Sequence, residues 1–542
     1  MKNILNNFPF ETVRDRQEEV IKKLEDNWDK YKCFVVEAPT GFGKSPVANA
    51  IGMSVDSTFL LTSTKQLQNQ YIEDFGSKEV VDLKGKANYR CNIEPGLNVE
   101  CGPCTVNKDL LKNCKDNGIC SYYTQREKTL NANIAVLNTS FFLYATTCGR
   151  YFKPRDVIIV DECHLLESQL VQWATTLISP TILEEEYDIK VPKYKEASGY
   201  NANKRWLNKV WKIIIDRRIE LEEEIKEMLD GQDPNTMSED LLEEVTISHS
   251  AYYKIDKLYK TMERFFKSTN KESWLCEPQD DGLIVTPVEV SDLFQRFIAS
   301  QSLEKVVFMS ATILDMVGFC KTFGIKKEEV GLLKVESEFP PEKSPIIYKP
   351  CGSMNMKNID ATMPNVIETI RDILAKHPNE KAVIHSSNYK IAEQIYQALN
   401  DPRLIIKQEG ENNEMIIKKH MESTEPTVLL SPSLTTGTDL KDDLSRFQII
   451  VKMPFLSLAD QRVARKNELN NDWYVAEMLR TVVQAAGRST RNENDWSVTY
   501  VLDSSFYYFI VKYRRWLSKN FLQRIKFKSS DFDIEKFKDE NK

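Results

Sequence analysis

The sequence has no uninterrupted apolar run near the ~20 residues that a membrane-crossing helix requires. Its opening, Met-Lys-Asn-Ile-Leu-Asn-Asn-Phe-Pro-Phe, lacks the apolar stretch of a secretory signal. Both absences lead to the expectation of a cytoplasmic protein with no membrane partner. A reducing compartment argues against a disulfide framework, so the eleven cysteines are read as free thiols or metal ligands. Positive charge is not in surplus either: 73 Lys and Arg stand against 80 Asp and Glu, for a net charge of −7. That excludes a general coating attraction to nucleic acid and leaves a local basic groove as the only electrostatic route to such a partner. No internal repeat of fixed period is visible, and no nuclease motif.

The chain is too long, at 542 residues, for one core, and the usual domain size predicts three or four domains. Apolar, β-branched runs bounded by polar or turn residues have the pattern of strands buried in a parallel sheet. They are Cys33 to Glu37, Thr58 to Thr62, Asn133 to Leu137, Val157 to Val160, Lys305 to Met309, Lys381 to His385, Thr427 to Leu430, Phe447 to Lys452 and Ser497 to Leu502. Segments with helical spacing, such as Gln17 to Leu24 and Tyr389 to Leu399, lie between many of them. Alternating strands and helices indicate an α/β fold. Two stretches break the rhythm: 82–130, with little strand character, and 167–300, rich in long polar helices, where Trp206 to Leu229 is read as part of a helical insertion. The Lys-rich tail after Arg524 is read as solvated or frayed.

Within the first irregular stretch stand five cysteines, Cys91, Cys101, Cys104, Cys114 and Cys120. An iron-sulfur cluster takes four thiolates and structural zinc can take four as well, so ligand count alone does not choose the metal. A zinc ribbon usually shows two close pairs, whereas here only Cys101 and Cys104 are two residues apart. The other six cysteines are scattered singly and suit small buried hydrophobes.

Before this stretch, Ala38-Pro39-Thr40-Gly41-Phe42-Gly43-Lys44-Ser45 follows a strand and precedes a helix. Small residues there let backbone N–H groups approach phosphate oxygens, and the next helix's N-terminus favours negative charge. Lys44 suits pairing with the β- and γ-phosphates of ATP, and the Ser45 hydroxyl suits Mg²⁺. After it, Asp161-Glu162 ends the strand from Val157, at the sheet edge where ligands bind in open α/β folds. Asp161 suits Mg²⁺ coordination and Glu162 suits orienting and deprotonating the attacking water. Near the far end, Gln484-Ala-Ala-Gly-Arg488-Ser-Thr-Arg491 places two guanidinium groups three apart, on one face if the segment is helical.

Phe8-Pro-Phe10 with Arg14 and Gln17, the phosphate loop, Asp161 to His164, Ser310-Ala-Thr312, Thr436-Gly437-Thr-Asp439 and Gln484 to Arg491 stand in the order of superfamily 2 helicase motifs. With cysteines between the first two, the chain resembles the iron-sulfur DNA helicases of the XPD and DinG group. Ser431 to Leu440 followed by Val451-Lys-Met-Pro-Phe455 is more similar to DinG. The acidic box departs from many relatives in carrying Cys163 where they have alanine. The resemblance implies two RecA-like motor domains, mostly parallel sheets, the first interrupted by an iron-sulfur insertion and a helical arch. It implies residues 1–81, 131–166 and 301–335 in motor domain 1, 82–130 in the cluster domain, 167–300 in the arch and 336–542 in motor domain 2.

By the same resemblance Gln17 reads adenine, Gly437 and Asp439 bind nucleotide across the cleft, Gln484, Arg488 and Arg491 act at the γ-phosphate, and Ser310 to Thr312 couple hydrolysis to movement. Cys91 and Cys120 are implied as the outer ligands of a 4Fe-4S cluster, with two of Cys101, Cys104 and Cys114 completing it. The implied activity is ATP-dependent, 5′ to 3′ translocation on single-stranded DNA with unwinding of tailed duplex, by a monomer whose loading partner is unknown. Thr62-Ser-Thr-Lys65-Gln66 and His385-Ser-Ser387 are read as contacts to the strand's backbone. Tyr89, Tyr122 and Tyr123 are read either as base-stacking rings or as packing of a small lobe. The alternatives are a DNA-stimulated ATPase that remodels without processive unwinding, and a redox sensor whose cluster switches the ATPase.

Overall fold

A computed structural model describes residues 3–541 except 106–107, 150, 196–199, 231–237, 269–272, 407–410, 412, 433–441, 488–494 and 529–531. The chain divides into two compact units, residues 1–36, 44–310 and 317–333 in the first and 37–43, 311–316 and 334–542 in the second.

In chain order the first strands are β1 (Cys33–Glu37), β2 (Thr58–Thr62), β3 (Val80–Asp82), β4 (Ile134–Asn138), β5 (Arg155–Asp161), β6 (Thr176–Ile178), β7 (Trp274–Gln279), β8 (Gly282–Pro287), β9 (Ser302–Ser310) and β10 (Val330–Lys334). Seven make one sheet in the order β10-β1-β9-β5-β2-β4-β3. Within it β5 pairs parallel with β9 and β2, and β4 parallel with β2 and β3. The β2 run is buried along its whole length, which is why it reads as continuous apolar sequence and not as an alternation.

The second unit holds β11 (Ile346–Gly352), β12 (Ala382–His385), β13 (Leu404–Ile406), β14 (Val428–Ser431), β15 (Phe447–Ile450), β16 (Val498–Asp503) and β17 (Ile525–Lys526). Their order is β13-β14-β12-β15-β16-β11-β17, and the pairs are parallel. Neighbouring residues feed opposite faces: Ile347, Ile449 and Tyr500 enter one apolar cluster, Ile346, Ile450 and Val501 the other. That is the period of two expected of a strand buried on both sides.

All nine runs read as strands coincide with strands, and the two parallel sheets match the expected α/β class. One expectation is extended and another corrected. Residues 167–300 contain the helices Tyr200–Leu229 and Glu239–Phe266, but also the antiparallel sheet β6-β8-β7. Pro278 sits on the edge strand β7, where a missing N–H is tolerated, and its presence conceals the strand in the sequence. The tail is also not simply frayed. Ile525 and Lys526 pair with Ile346 and Ile347, and the helix Ile534–Asn541 buries Ile534 and Phe537. Lys538 there donates to the Lys376 carbonyl at 2.6 Å and pairs with Glu380 at 2.8 Å.

Candidate nucleotide site and cysteine lobe

The carboxyl ends of β5, β2 and β9 lie side by side in the first sheet, so residues just beyond them share one edge. The loop Ala38, Pro39, Thr40, Gly41, Phe42, Gly43 leaves β1 and enters the helix Lys44–Met53. Gly41 and Gly43 take φ of 81° and 82°, the left-handed region that glycine enters without a Cβ penalty. Lys44 and Ser45 thus open a helix, where the dipole and unpaired N–H groups favour phosphate.

Asp161 closes β5 and is nearly buried. Its Oδ2 accepts a 2.8 Å hydrogen bond from the Tyr71 hydroxyl, and its Oδ1 accepts from the Glu162 amide at 2.8 Å. Tyr71 also bonds Ser45, so a buried tyrosine joins the two side chains read as Mg²⁺ ligands. Glu162 has a φ of 49°, a left-handed conformation that costs a non-glycine residue ~1–2 kcal/mol. It breaks the strand's alternation at the point where two consecutive carboxylates have to serve one site. His164 Nδ1 stands 2.7 Å from Ser310 Oγ and 3.3 Å from Glu162 Oε2. Ser310 Oγ in turn donates to Glu162 Oε2 at 3.4 Å. The residue read as the water-activating base is therefore tied to the end of β9.

Burial and the adjacent Glu162 charge push the Asp161 carboxyl up, against the pull of the Lys44 ammonium. Burial also works to raise Glu162, but the His164 hydrogen bond and the Lys44 and His164 charges outweigh it and hold Glu162 below the ordinary carboxylate range. Two neighbouring carboxylates are thus driven apart, the arrangement in which one stays an ionised base. Burial first and Asp161 second raise the Tyr71 hydroxyl well above its usual value. It therefore remains a hydrogen-bond donor.

Gln17 is buried at the start of the helix Asp15–Asp26, its Oε1 accepting from the Arg14 amide at 3.1 Å. Within the second unit, Gln484 Nε2 donates to Thr312 Oγ1 at 3.0 Å, and Arg480 Nε to the Thr312 carbonyl at 3.0 Å. The helix Asn471–Ala486 ends before the arginines. Arg488, Arg491, Gly437 and Asp439 lie outside the described residues. Sequence reasoning missed both Tyr71 and Arg480, because nothing in their local spacing marks a residue whose partner is a strand end or loop far along the chain.

Of the five clustered cysteines, Cys91, Cys104, Cys114 and Cys120 are buried and Cys101 is exposed. Burial raises the Cys104 thiol, and Cys114, Cys120 and Cys91 raise it further. The Cys114 thiol is raised by burial, then by Cys120 and Cys91. Cys91 and Cys120 thus lie near enough to act on both Cys104 and Cys114, although among the described residues no group of three or more candidate ligands is drawn into metal-holding geometry. Gly102 keeps the space beside Cys91 open, since a Cβ there would stand 3.1 Å from the Cys91 Sγ. Tyr122 is buried and packs edge-on against Tyr89 and Tyr123, with ring centroids at 5.5 and 5.1 Å. Packing therefore accounts for Tyr122.

The residues read as strand contacts sit at strand ends. Thr64, Lys65 and Gln66 are exposed, with Thr64 capping the helix Lys65–Phe75 and Lys65 bonded to Asn88 at 2.7 Å. Thr62 is buried. Ser386 is also buried, and Ser387, with a φ of 68°, donates to the Lys452 carbonyl at 3.0 Å.

Two family models match the chain in succession, one described as the res subunit of type III restriction enzymes over residues 11–208 and one as a helicase C-terminal domain over residues 370–524. At 21 % identity the chain aligns with a probable ATP-dependent helicase of Methanocaldococcus jannaschii over 93 % of each chain. Identity is also 21 % to the ATP-dependent DNA helicase YoaA of Escherichia coli, over 91 % of each. The ATP-dependent DNA helicase XPD of Sulfolobus acidocaldarius matches at 21 % over 91 % of this chain and 96 % of its own. A solved XPD helicase superposes with a TM-score of 0.62 at 16 % identity, covering 94 % of this chain and 99 % of that one. The Xpd4 structure of S. tokodaii does so with a TM-score of 0.57 at 16 % identity, covering 95 % and 100 %. Two RecA-like parallel-sheet domains, the order of motifs and these near full-length alignments agree, and the chain is an XPD/DinG-like member of helicase superfamily 2.

Proposed function

We propose that this protein is an ATP-dependent DNA helicase that moves 5′ to 3′ along single-stranded DNA and opens duplex. The observation that carries the reading is the shared sheet edge: Lys44 and Ser45 open a helix whose neighbours Asp161, Glu162, Tyr71, His164 and Ser310 form one bonded set. In that set Lys44 pairs with the β- and γ-phosphates, while Ser45 and Asp161 hold Mg²⁺, with Tyr71 fixing the orientation of both. Glu162, kept ionised, orients the attacking water and accepts its proton. Gln484, Arg488 and Arg491 keep in this reading the γ-phosphate role that the resemblance assigns to them. The relatives named as ATP-dependent DNA helicases support ATP and DNA as the substrates.

Four buried thiols in one small lobe suit a 4Fe-4S cluster in donor type and number, and we assign Cys91, Cys104, Cys114 and Cys120 as its ligands. The exposed Cys101 is left out. When bound, such a centre would supply the positive charge that favours thiolate ligands and would fasten the lobe.

The test is a duplex bearing one single-stranded tail, with ATP and Mg²⁺. Strand release from the 5′-tailed substrate and not from the 3′-tailed one is expected. DNA-stimulated hydrolysis with no release from either would replace the helicase by a remodelling ATPase.

A further inference from the structure

Glu37 ends β1 and is buried immediately before the phosphate loop. In the sheet β1 lies between β10 and β9, and the Glu37 carboxylate takes partners from the exits of both. Oε2 accepts the amides of Leu314 and, at 2.9 Å, of Ile313, just beyond β9. Oε1 pairs with the Lys334 ammonium at 2.9 Å, at the end of β10. Lys334 also donates to the Trp516 carbonyl at 2.7 Å, and the Glu37 carbonyl accepts the Val335 amide at 2.8 Å. All of these residues fall in the second compact unit.

The short segment 312–314 is held from its other side as well. Thr312 accepts from Gln484 through its hydroxyl and from Arg480 through its carbonyl. Leu314 is buried in one apolar cluster with Met478, Leu479, Val482 and Ala486 of the helix Asn471–Ala486. Its φ of 66° is a left-handed conformation that a residue with a Cβ rarely adopts, and its amide is one of the two that Glu37 receives. The carboxylate therefore holds a strained turn in place. Burying a carboxylate is costly, and a buried ion pair is often no more stabilising than apolar side chains of the same volume. What these charge-assisted bonds supply is fixed geometry.

We propose that Glu37 is a positioning residue for ATP hydrolysis. Through the amides of Ile313 and Leu314 it sets Thr312, and through Thr312 it sets Gln484 for the γ-phosphate. Lys334 holds the carboxylate in the orientation that this requires. The role rests on the proposed nucleotide site and on the γ-phosphate task of Gln484, and it adds a residue that touches neither ATP nor Mg²⁺. Its effect should fall on the rate of hydrolysis and not on nucleotide binding.

The experiment is a double-mutant cycle on the ATPase of the full chain at saturating oligo-dT, for the wild type, Glu37→Gln, Gln484→Ala and the two combined. The Kd for mant-ATP is measured on each protein. Glu37→Gln keeps the size of the side chain and one acceptor oxygen but not the charge. Its kcat is expected to fall about tenfold or more, since small misplacements of reacting groups are costly. Its mant-ATP Kd should stay within about threefold of wild type, the signature of an interaction made only in the transition state. A merely structural defect would lower bound nucleotide and rate together. The combined variant should be at most about twofold slower than the slower single variant, because residues that act through one segment are not additive. Should Glu37→Gln fail to fold, Glu37→Gln/Lys334→Met, which removes both charges, takes its place in the cycle. Wild-type kcat in either single variant, a Kd that rises in step with the loss of kcat, or effects that multiply in the combined variant overturn the proposal. Absence of ATP hydrolysis by the wild type would overturn the nucleotide-site reading instead.

Discussion

The Tyr71 hydroxyl donates to Asp161 Oδ2 at 2.8 Å in a pocket where Tyr71 is 1 % exposed. Asp161 is pushed toward its neutral form by burial and by Glu162, yet a carboxylate must be ionised to hold Mg²⁺. A buried hydrogen bond to the ionised oxygen is worth ~1.5–3 kcal/mol, and the same hydroxyl bonds Ser45. Tyr71→Phe keeps the ring and removes the donor. We expect about a tenfold or greater rise in the Mg²⁺ concentration that half-activates the ATPase, with a smaller change in the rate at saturating Mg²⁺, 1.4 kcal/mol being a factor of ten. A Mg²⁺ titration of hydrolysis checks it, and an unchanged half-activating concentration counts against a positioning role.

Lys44 acts electrostatically on both Asp161 and Glu162, lowering each. Lys44→Ala removes the ammonium intended for the phosphates and leaves two crowded carboxylates facing each other. ATP hydrolysis should fall by at least about a hundredfold, while binding to oligo-dT, which uses other segments, should stay within about threefold. Steady-state hydrolysis and anisotropy on the same preparation decide it. Retained turnover would mean that the phosphate-loop assignment is wrong.

How far these features could be read from sequence depended on whether their cause was local. The loop from Ala38 to Ser45 is legible because Gly41 and Gly43 supply positive φ that other residues rarely adopt. The strand from Val157 is legible because burial on both faces demands an unbroken apolar run. Tyr71 is not: its partner is ninety residues away, and a tyrosine on an amphipathic helix has no mark of function. The short strands β3, β6, β13 and β17 were missed because two or three residues carry no period. The choice among cysteines was likewise invisible, since spacing does not reveal that Cys101 faces solvent while Cys104 and Cys114 turn inward.

That difference in exposure yields a prediction about metal. Single Ser replacements of Cys91, Cys104, Cys114 and Cys120 should each lose most of the iron and acid-labile sulfide from anaerobically purified protein, because a four-thiolate site does not survive the loss of a ligand. Cys101→Ser should retain both at wild-type stoichiometry. Unwinding should follow iron content, and DNA-stimulated hydrolysis should fall less than unwinding. Zinc in place of iron and sulfide would reassign the lobe to a structural zinc site, and loss of iron from Cys101→Ser would redraw the ligand set.

The second unit carries a pH dependence of its own. His377 is fully buried, stacked on Phe447 at 4.1 Å between centroids and bonded through Nε2 to the Tyr500 hydroxyl at 3.0 Å. Burial, then the charges of Lys538, Arg403 and Lys376, push its imidazole down to about 3 from an ordinary 6.5. Between those two values the unfolded chain holds a proton at this position that the folded chain does not, so stability rises with pH and is lost as pH falls below 6.5. From this group alone, lowering pH from 7 to 5 should cost ~2 kcal/mol. His377→Gln keeps a polar side chain that can bond Tyr500 but does not titrate. Its melting temperature should start lower at pH 7 and fall less steeply toward pH 5 than that of the wild type. Thermal unfolding of both proteins at half-unit pH steps measures the two slopes, and parallel curves would place the acid sensitivity in groups other than His377.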